Sequence, residues 1–433
     1  MIKPKNITGF RKGWLLLRVK IRMFFHFLGK LFSGKLSLKN FFKVLKRLLY
    51  FLSTIKENKF VKLGKYTRFG LYLPGYPSRA FFTACEKFSH FGVKLPCTTV
   101  LVSVTSACRF DCVHCYQKND KGKDADLDKL IEVVKKLQNM GMAFFNIEGG
   151  EPFLVYEKLK RVCEVIDNRS EIWINSVGDG MTLEKLKELK SLNLTAAMFS
   201  FHFLDKEEMN KFMGSDKAWD SIMNGIKLCH EAEVPVAFNI CLQADDFHNG
   251  KFEKLMDKAK ELNVSIIQLI KPKPAGGWLE SGVEDFPSAE IERVKKLVNK
   301  YNNEKEFKDY PSISAQVFEE APEMFGCTAG GTDRFYINAK GDLQPCEFLN
   351  ISFGNILTDD FEIIYKEMRE QFEGPGEAWL CEKYSGKILK VFKEKKLTSL
   401  PLSKELSKEI YENWDRGKKT KLYKIIEERK NVQ

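Results

Sequence analysis

The sequence predicts an α/β protein, a (β/α)6 partial barrel of the TIM type with amphipathic helices before it and a small cysteine-containing extension after it. Two observations carry this. From Val100 to Ile270, short β-branched or apolar runs alternate with helical stretches six times, the pattern of βα units around a parallel sheet. Ahead of them, residues 1–56 hold fourteen Lys and Arg and no acidic residue. The net charge is +12, so the rest of the chain carries about −2 (12 − 14). Basicity is therefore local, and four segments follow: an arm (1–56), a connector (57–96), the barrel core (97–310), and an extension with a helical tail (311–433).

In the arm, two helices are expected between Arg11 and Lys56, broken at Ser33-Gly34. Arg18, Arg22, His26 and Lys30 recur every four residues and form one polar stripe, with Trp14, Leu15, Leu17, Ile21, Phe24, Phe25, Leu28 and Phe32 over the remaining surface. The second helix sets Lys35, Lys39, Lys43, Lys46 and Arg47 against Leu38, Phe41, Phe42, Leu45, Leu48, Leu49 and Leu52. Helices of this kind suit the plane of an anionic membrane interface, lysines toward headgroups and aromatics in the acyl boundary. The plainer alternative is that the apolar face packs on the rest of the protein. Phosphate binding to nucleic acid is not favoured, because Phe and Leu are denser than base stacking needs.

No apolar stretch reaches the length of a spanning helix, and Arg18, Lys20 and Arg22 break any signal-like run. Eleven irregularly spaced cysteines point to a reducing compartment with thiolates available for metal. The expected location is cytoplasmic, peripheral on the inner face of the cell membrane.

A Gly/Pro/aromatic connector runs from about Lys62 to Pro96. Strands are then expected near Val100–Thr105, Ala143–Ile147, Ile172–Val177, Thr195–Phe201, Val236–Leu242 and Ser265–Ile270. Helices are expected near Asp126–Met140, Tyr156–Asp167, Leu183–Leu189, Trp219–Glu231 and Lys251–Leu262. In such barrels the chemistry sits in loops at the strand C-termini, and the motifs fall there.

The first of these loops holds Cys108-Arg-Phe-Asp-Cys112-Val-His-Cys115. Three thiolates within eight residues can hold three irons of a [4Fe–4S] cube and leave the fourth open to a small molecule. Structural zinc is the alternative, but it wants four ligands, and His114 is crowded between two of the cysteines. The spacing resembles the defining motif of the radical S-adenosylmethionine (SAM) superfamily. His114 stands at that motif's aromatic position, and Tyr116 matches its common form. The resemblance implies that SAM chelates the open iron and that an electron from the cluster cleaves it to methionine and a 5′-deoxyadenosyl radical. That radical takes hydrogen from the substrate.

Strand two ends in Gly149-Gly150-Glu151-Pro152. Glycines let a backbone approach a ligand, and a carboxylate can accept from an ammonium. The stretch matches the family's Gly-Gly-Glu-Pro element, which implies binding of the SAM amino group. Asn175, Ser176, Ser200 and Asn239 stand where the family often has polar cofactor contacts, Ser200 resembling a ribose contact. His202 departs from the common Asp. The loop from Lys271 to Trp278, with Gly276-Gly277, suits a passage near the adenine. Cys327, Gly341, Cys346 and Cys381, with Phe353-Gly354-Asn355-Ile356, resemble the opening of the C-terminal extension called SPASM, or its shorter twitch form. This implies at most one auxiliary iron–sulfur cluster, on Cys327, Cys346 and Cys381, the alternative being buried free thiols. Cys85, Cys97, Cys163, Cys229 and Cys241 read as packing residues, Cys97 being the one to recheck as an extra ligand.

The expected activity is radical SAM chemistry on a membrane lipid or isoprenoid chain, with C–C bond formation or functionalisation. A peptide or protein maturase of the SPASM/twitch type is the alternative, and a non-enzymatic iron–sulfur redox carrier a further one. A low-potential donor of the flavodoxin or ferredoxin type and an oxygen-poor setting are implied.

Overall fold

The structure is a computed structural model and describes residues 3–91, 94–284 and 286–427. Its centre is a nine-stranded sheet, each strand placed by a short β-branched run. The strands are β4 (Thr99–Ser103), β5 (Phe144–Glu148), β6 (Glu171–Ser176), β7 (Leu194–Ser200), β8 (Val236–Cys241), β9 (Ile266–Ile270), β10 (Ser312–Ala315), β11 (Arg334–Ile337) and β12 (Leu343–Gln344). Their spatial order is β10-β9-β8-β7-β6-β5-β4-β11-β12. All neighbours pair in parallel except β11 and β12. The order has two free ends, so the barrel is partial.

Outside it lie α4 (Leu127–Asn139), α5 (Tyr156–Glu164), α6 (Leu183–Ser191), α7 (Lys206–Met213), α8 (Ala218–Glu231), α9 (Lys251–Glu261) and α11 (Ser288–Asn303), with a single turn, α10 (Trp278–Ser281), at the rim. Their inward faces and the outer faces of the strands make the main core. The five helices and six strands read from the sequence appear within about one to three residues of their expected ends.

Two features differ from that reading. The extension is not a separate appendage, since β10, β11 and β12 complete the barrel's own sheet, β11 running parallel to β4. These strands are two to four residues long and include Ser312, Ser314 and Arg334, too short and polar to show a period. The second is α7, started by Asp205, whose carboxylate accepts from the Glu207 and Glu208 amides. After α12 (Gln316–Glu319), the last helices among the described residues are α13 (Phe361–Gln371), α14 (Leu380–Glu394), α15 (Lys404–Tyr411) and α16 (Lys421–Glu427).

The arm forms α1 (Gly9–Phe32) and α2 (Leu38–Thr54), broken at residues 33–37 as the glycine suggests. Flanking them, β1 (Lys5–Ile7), β2 (Phe60–Leu63) and β3 (Tyr66–Arg68) make a small antiparallel sheet, followed by α3 (Arg79–Glu86). Val19, Met23 and Phe27 of α1 and Phe41, Val44, Leu48, Phe51 and Leu52 of α2 are buried in a second core with α3 and α16.

The orientation corrects the expected one. His26 and Lys30 of the polar stripe face the body and bond the Glu86 carboxylate. Arg47 is buried, donating to the carbonyls of Phe88 and His90. The C-terminal half of the stripe thus has an ion-pair partner in the protein, while Arg18 and Arg22 stay exposed, and much of α1's apolar surface is turned outward.

Candidate functional site

A cavity of about 800 Å³ opens at the C-terminal end of the barrel and runs down its lumen, within the roughly 300–1,000 Å³ usual for small-molecule sites. Cys108, Cys112 and Cys115 line its mouth on the loop after β4. The end of α7 and two neighbouring loops hold that loop by its backbone. Val113 donates to the Phe212 carbonyl at 3.0 Å. Gly277 donates to the Cys115 carbonyl at 2.9 Å, and a Cβ on Gly277 would stand 2.1 Å from the Val113 oxygen. On the other side, Gly150 and Glu151 donate to the carbonyls of Thr105 (2.7 Å) and Ala107 (2.8 Å). A Cβ on Gly150 would lie 2.2 Å from the Ala107 oxygen. The two Gly-Gly pairs are thus explained by contact with the cysteine loop as much as with any ligand.

The thiols are close enough to feel one another. Burial, then the neighbouring Cys115 and Cys108, push Cys112 up, and burial pushes Cys115 up to about 11. Among the described residues no three such side chains converge to hold a single ion. A cube asks each thiolate for one corner of its own, so this donor set suits a cluster better than zinc.

His114 is sandwiched, stacked on Phe212 (ring centroids 4.6 Å) and edge-on to His202 (4.6 Å). Burial lowers its pKa to about 4, so it stands as a neutral ring, as its aromatic position suggested. His202 accepts the Cys241 amide on Nδ1 at 3.1 Å, which puts its proton on Nε2, a buried atom with no partner. Gly149, Gly150, Asn175, Ser176, Ser200 and Asn239 all line the cavity, and Ser200 and Asn239 are register partners on β7 and β8.

Glu151 does not reach the cavity. Its carboxylate accepts from the Phe153 and Val177 amides and from Ser176 Oγ, and it is fully buried. The expected side-chain contact with an ammonium is therefore corrected to a structural one, tying the β5 loop to the end of β6. Pro152 opens the buried turn beyond it and does not line the cavity either.

The residue that sequence reasoning missed is Glu148. It is 4% exposed and lines the lumen. One oxygen accepts from Asn175 Nδ2 at 3.0 Å, and the other has no partner. Burial, reinforced by the Glu347 charge, lifts its pKa to about 8. Tyr116 reaches the same carboxyl. Beside it Gln117 donates to Ser103 Oγ (2.6 Å) and to the Tyr336 hydroxyl (2.7 Å). The signal was available, since Glu148 directly precedes the Gly-Gly pair on an inward-facing strand position. Cys241, read as packing, lines the cavity instead. Cys97 is a packing residue, its thiol donating to the carbonyls of Asp333 and Thr99.

Cys327, Cys346 and Cys381 come together around a second, small cavity of about 10 Å³. Arg334 stands among them, paired with Glu320 and, at 3.7 Å, with Glu347. The Cys346 thiol donates to Glu347 at 3.0 Å. Three thiols from separate elements beside a buried cation could hold an anionic cluster. Lys273, Arg334 and Phe348 line both cavities, so the two thiol sets share a wall.

The Radical SAM superfamily profile matches residues 102–262, the stretch from β4 to the end of α9. The chain carries a radical SAM domain. It is a radical SAM enzyme, and its cofactors are a [4Fe–4S] cluster and SAM. The chain is 24% identical over 264 residues to a probable GTP 3′,8-cyclase of Saccharolobus solfataricus, covering 58% of this chain and 83% of that protein. It is 22% identical over 314 residues to an AdoMet-dependent heme synthase of Nitratidesulfovibrio vulgaris, covering 66% and 85%. Among solved structures, Streptococcus suis SuiB bound to its precursor peptide SuiA has the same fold over 63% of this chain, at 18% identity and a TM-score of 0.52. The match spans 65% of the SuiB chain.

Proposed function

We propose that this protein is a membrane-docked radical SAM enzyme acting on a lipid or isoprenoid chain. The observation that carries the reading is where apolar surface is left outside. Of fourteen large apolar side chains exposed among the described residues, ten lie between Phe10 and Leu49. Phe10 (88%), Phe32 (82%), Phe25 (62%) and Phe42 (62%) lead them. Single exposed apolar residues are ordinary, but a contiguous set rimmed by cations marks an interaction surface. Arg11, Arg18, Lys20, Arg22 and Lys39 are exposed on the same two helices and Lys35 in the break between them, so the surface complements anionic headgroups over an apolar boundary. Among the described residues no helix is long and apolar enough to cross a membrane, and docking would be in the plane of the interface.

In this reading Cys108, Cys112 and Cys115 hold the cluster, and the walls at Gly149, Gly150, Ser200 and Asn239 hold SAM. When bound, the pair supplies abstraction of hydrogen from an unactivated carbon, which acid–base groups cannot do. The chain's own part is to exclude water from the lumen and to position one C–H bond. Glu148 would stay protonated at neutral pH and offer a donor or acceptor beside the reacting carbon.

The test is 5′-deoxyadenosine formation by anaerobically reconstituted protein with SAM and dithionite, with and without a membrane lipid extract. Lipid-dependent turnover with deuterium carried from lipid to product is the expected result. Cleavage that ignores lipid but responds to peptide would overturn the lipid reading in favour of a peptide maturase.

A further inference from the structure

The inward positions of β5 run Phe144, Asn146, Glu148, and all three line the barrel cavity. At the level of Phe144, Leu71 of the connector packs with Phe144, Trp173 and Met198. One step higher, Asn146 is the register partner of Leu101 on β4 and of Trp173 on β6. It precedes Gly149 by three residues, which places it about 10 Å down the strand from the Gly-Gly pair.

This layer holds polar atoms with nothing to bond. Asn146 Oδ1, Trp173 Nε1 and Asn175 Oδ1 are buried without a hydrogen-bond partner, as is one oxygen of Glu148. Asn146, Trp173 and Asn175 all line the cavity, and Trp173 is fully buried. Asn175 spends its Nδ2 on the other Glu148 oxygen at 3.0 Å and keeps its own oxygen free. A buried polar group left without a partner costs free energy, and native structures rarely keep several together. An occupant of the lumen that supplies those partners removes the cost.

The set also selects the occupant. An indole N–H only donates, whereas an asparagine amide presents both donors and an acceptor. The cations Lys273 and Arg334 on the cavity wall already carry ion pairs, with Glu382 at 2.7 Å and with Glu320. A bare hydrocarbon would leave the polar atoms stranded, and a carboxylate or ammonium would bring a charge with no opposite charge among them. An amide meets both needs, its carbonyl accepting from the indole and its N–H donating to an asparagine oxygen. We infer that Asn146, Trp173 and Asn175 form a subsite for a neutral amide that the substrate carries beyond its reacting carbon. The inference rests on the reading of the lumen as the substrate site and names one group on that substrate.

The test measures competition against radiolabelled decanamide on the reconstituted, SAM-loaded enzyme. The competitors, nonyl methyl ketone and decanoate, keep the chain and the carbonyl and replace the amide nitrogen by a methyl group or an oxyanion. Decanamide should bind about tenfold more tightly than the ketone, the worth of one buried hydrogen bond, and decanoate should bind more weakly still. Asn146→Leu should bring amide and ketone to similar affinities and leave that of the ketone unchanged, which also reports a folded lumen. Trp173→Phe, which removes the indole donor, should weaken both severalfold. Equal affinity for amide and ketone in the wild type, tighter binding of decanoate, an amide preference that survives Asn146→Leu, or no saturable binding of decanamide would overturn the subsite. Displacement by acetyl-trialanine amide with the same dependence on Asn146 would support the subsite and overturn the lipid reading instead.

Discussion

Glu148 shows how one buried carboxyl gives the molecule a pH signature. Held at a pKa of about 8 by burial and by the Glu347 charge, it keeps a proton that the unfolded chain loses in the ordinary carboxylate range. Between those two values the native state binds the extra proton, so this group makes stability fall as pH rises through the window, and the effect levels off above about pH 8. Glu148→Gln keeps the shape and removes the titration. Urea midpoints at pH 5 and pH 8 should therefore differ less in the variant than in the wild type. In unfolding free energy the wild-type loss between the two pH values should be a few kcal/mol at most, at about 1.4 kcal/mol per tenfold change in proton affinity. Equal slopes in both proteins would mean that Glu148 is ionised in the fold.

At the scale of elements, α1 and α2 carry two surfaces that their composition alone does not separate. The inward surface is anchored by His26 and Lys30 on Glu86 and by buried Val19, Met23 and Phe27. The outward surface includes Trp14, Phe25 and Phe42. Phe25→Asp with Phe42→Asp should leave the melting temperature within about 2 °C of wild type, because exposed positions are usually near-neutral. The same pair should cut flotation with phosphatidylglycerol vesicles at least severalfold, since each burial lost is worth about 1.5–3 kcal/mol. Unchanged flotation would assign the patch to another partner.

Two predictions belong to the whole molecule. The Arg68–Glu171 pair is buried where the connector meets the start of β6, both side chains under 5% exposed. Removing one partner strands a charge, and Glu171→Ala should cost about 3–5 kcal/mol by urea unfolding. The double change Arg68→Met with Glu171→Leu should cost less. The second concerns the shared wall of the two thiol sets. Changing Cys327, Cys346 and Cys381 together to Ala should lower iron content while the absorbance of a single cluster remains. Unchanged iron would leave these three as packing thiols.

The sequence alone determined the six βα units, because their strands and helices each carry a local period and clear punctuation. It also determined the three-cysteine loop and the Gly-Gly element, whose chemistry is written in adjacent residues. It was silent where partners are distant in the chain. Tertiary structure decided that Glu151 is bound by the Phe153 and Val177 amides and not offered to a ligand. It decided that β11, far along the chain, closes against β4. Tertiary structure also decided which face of α1 looks outward. A helix with a polar stripe and apolar flanks can be buried on either side, and here the choice fell to Glu86 on another helix. Local periodicity specifies elements, whereas burial, pairing and orientation depend on contacts between residues that no short window contains.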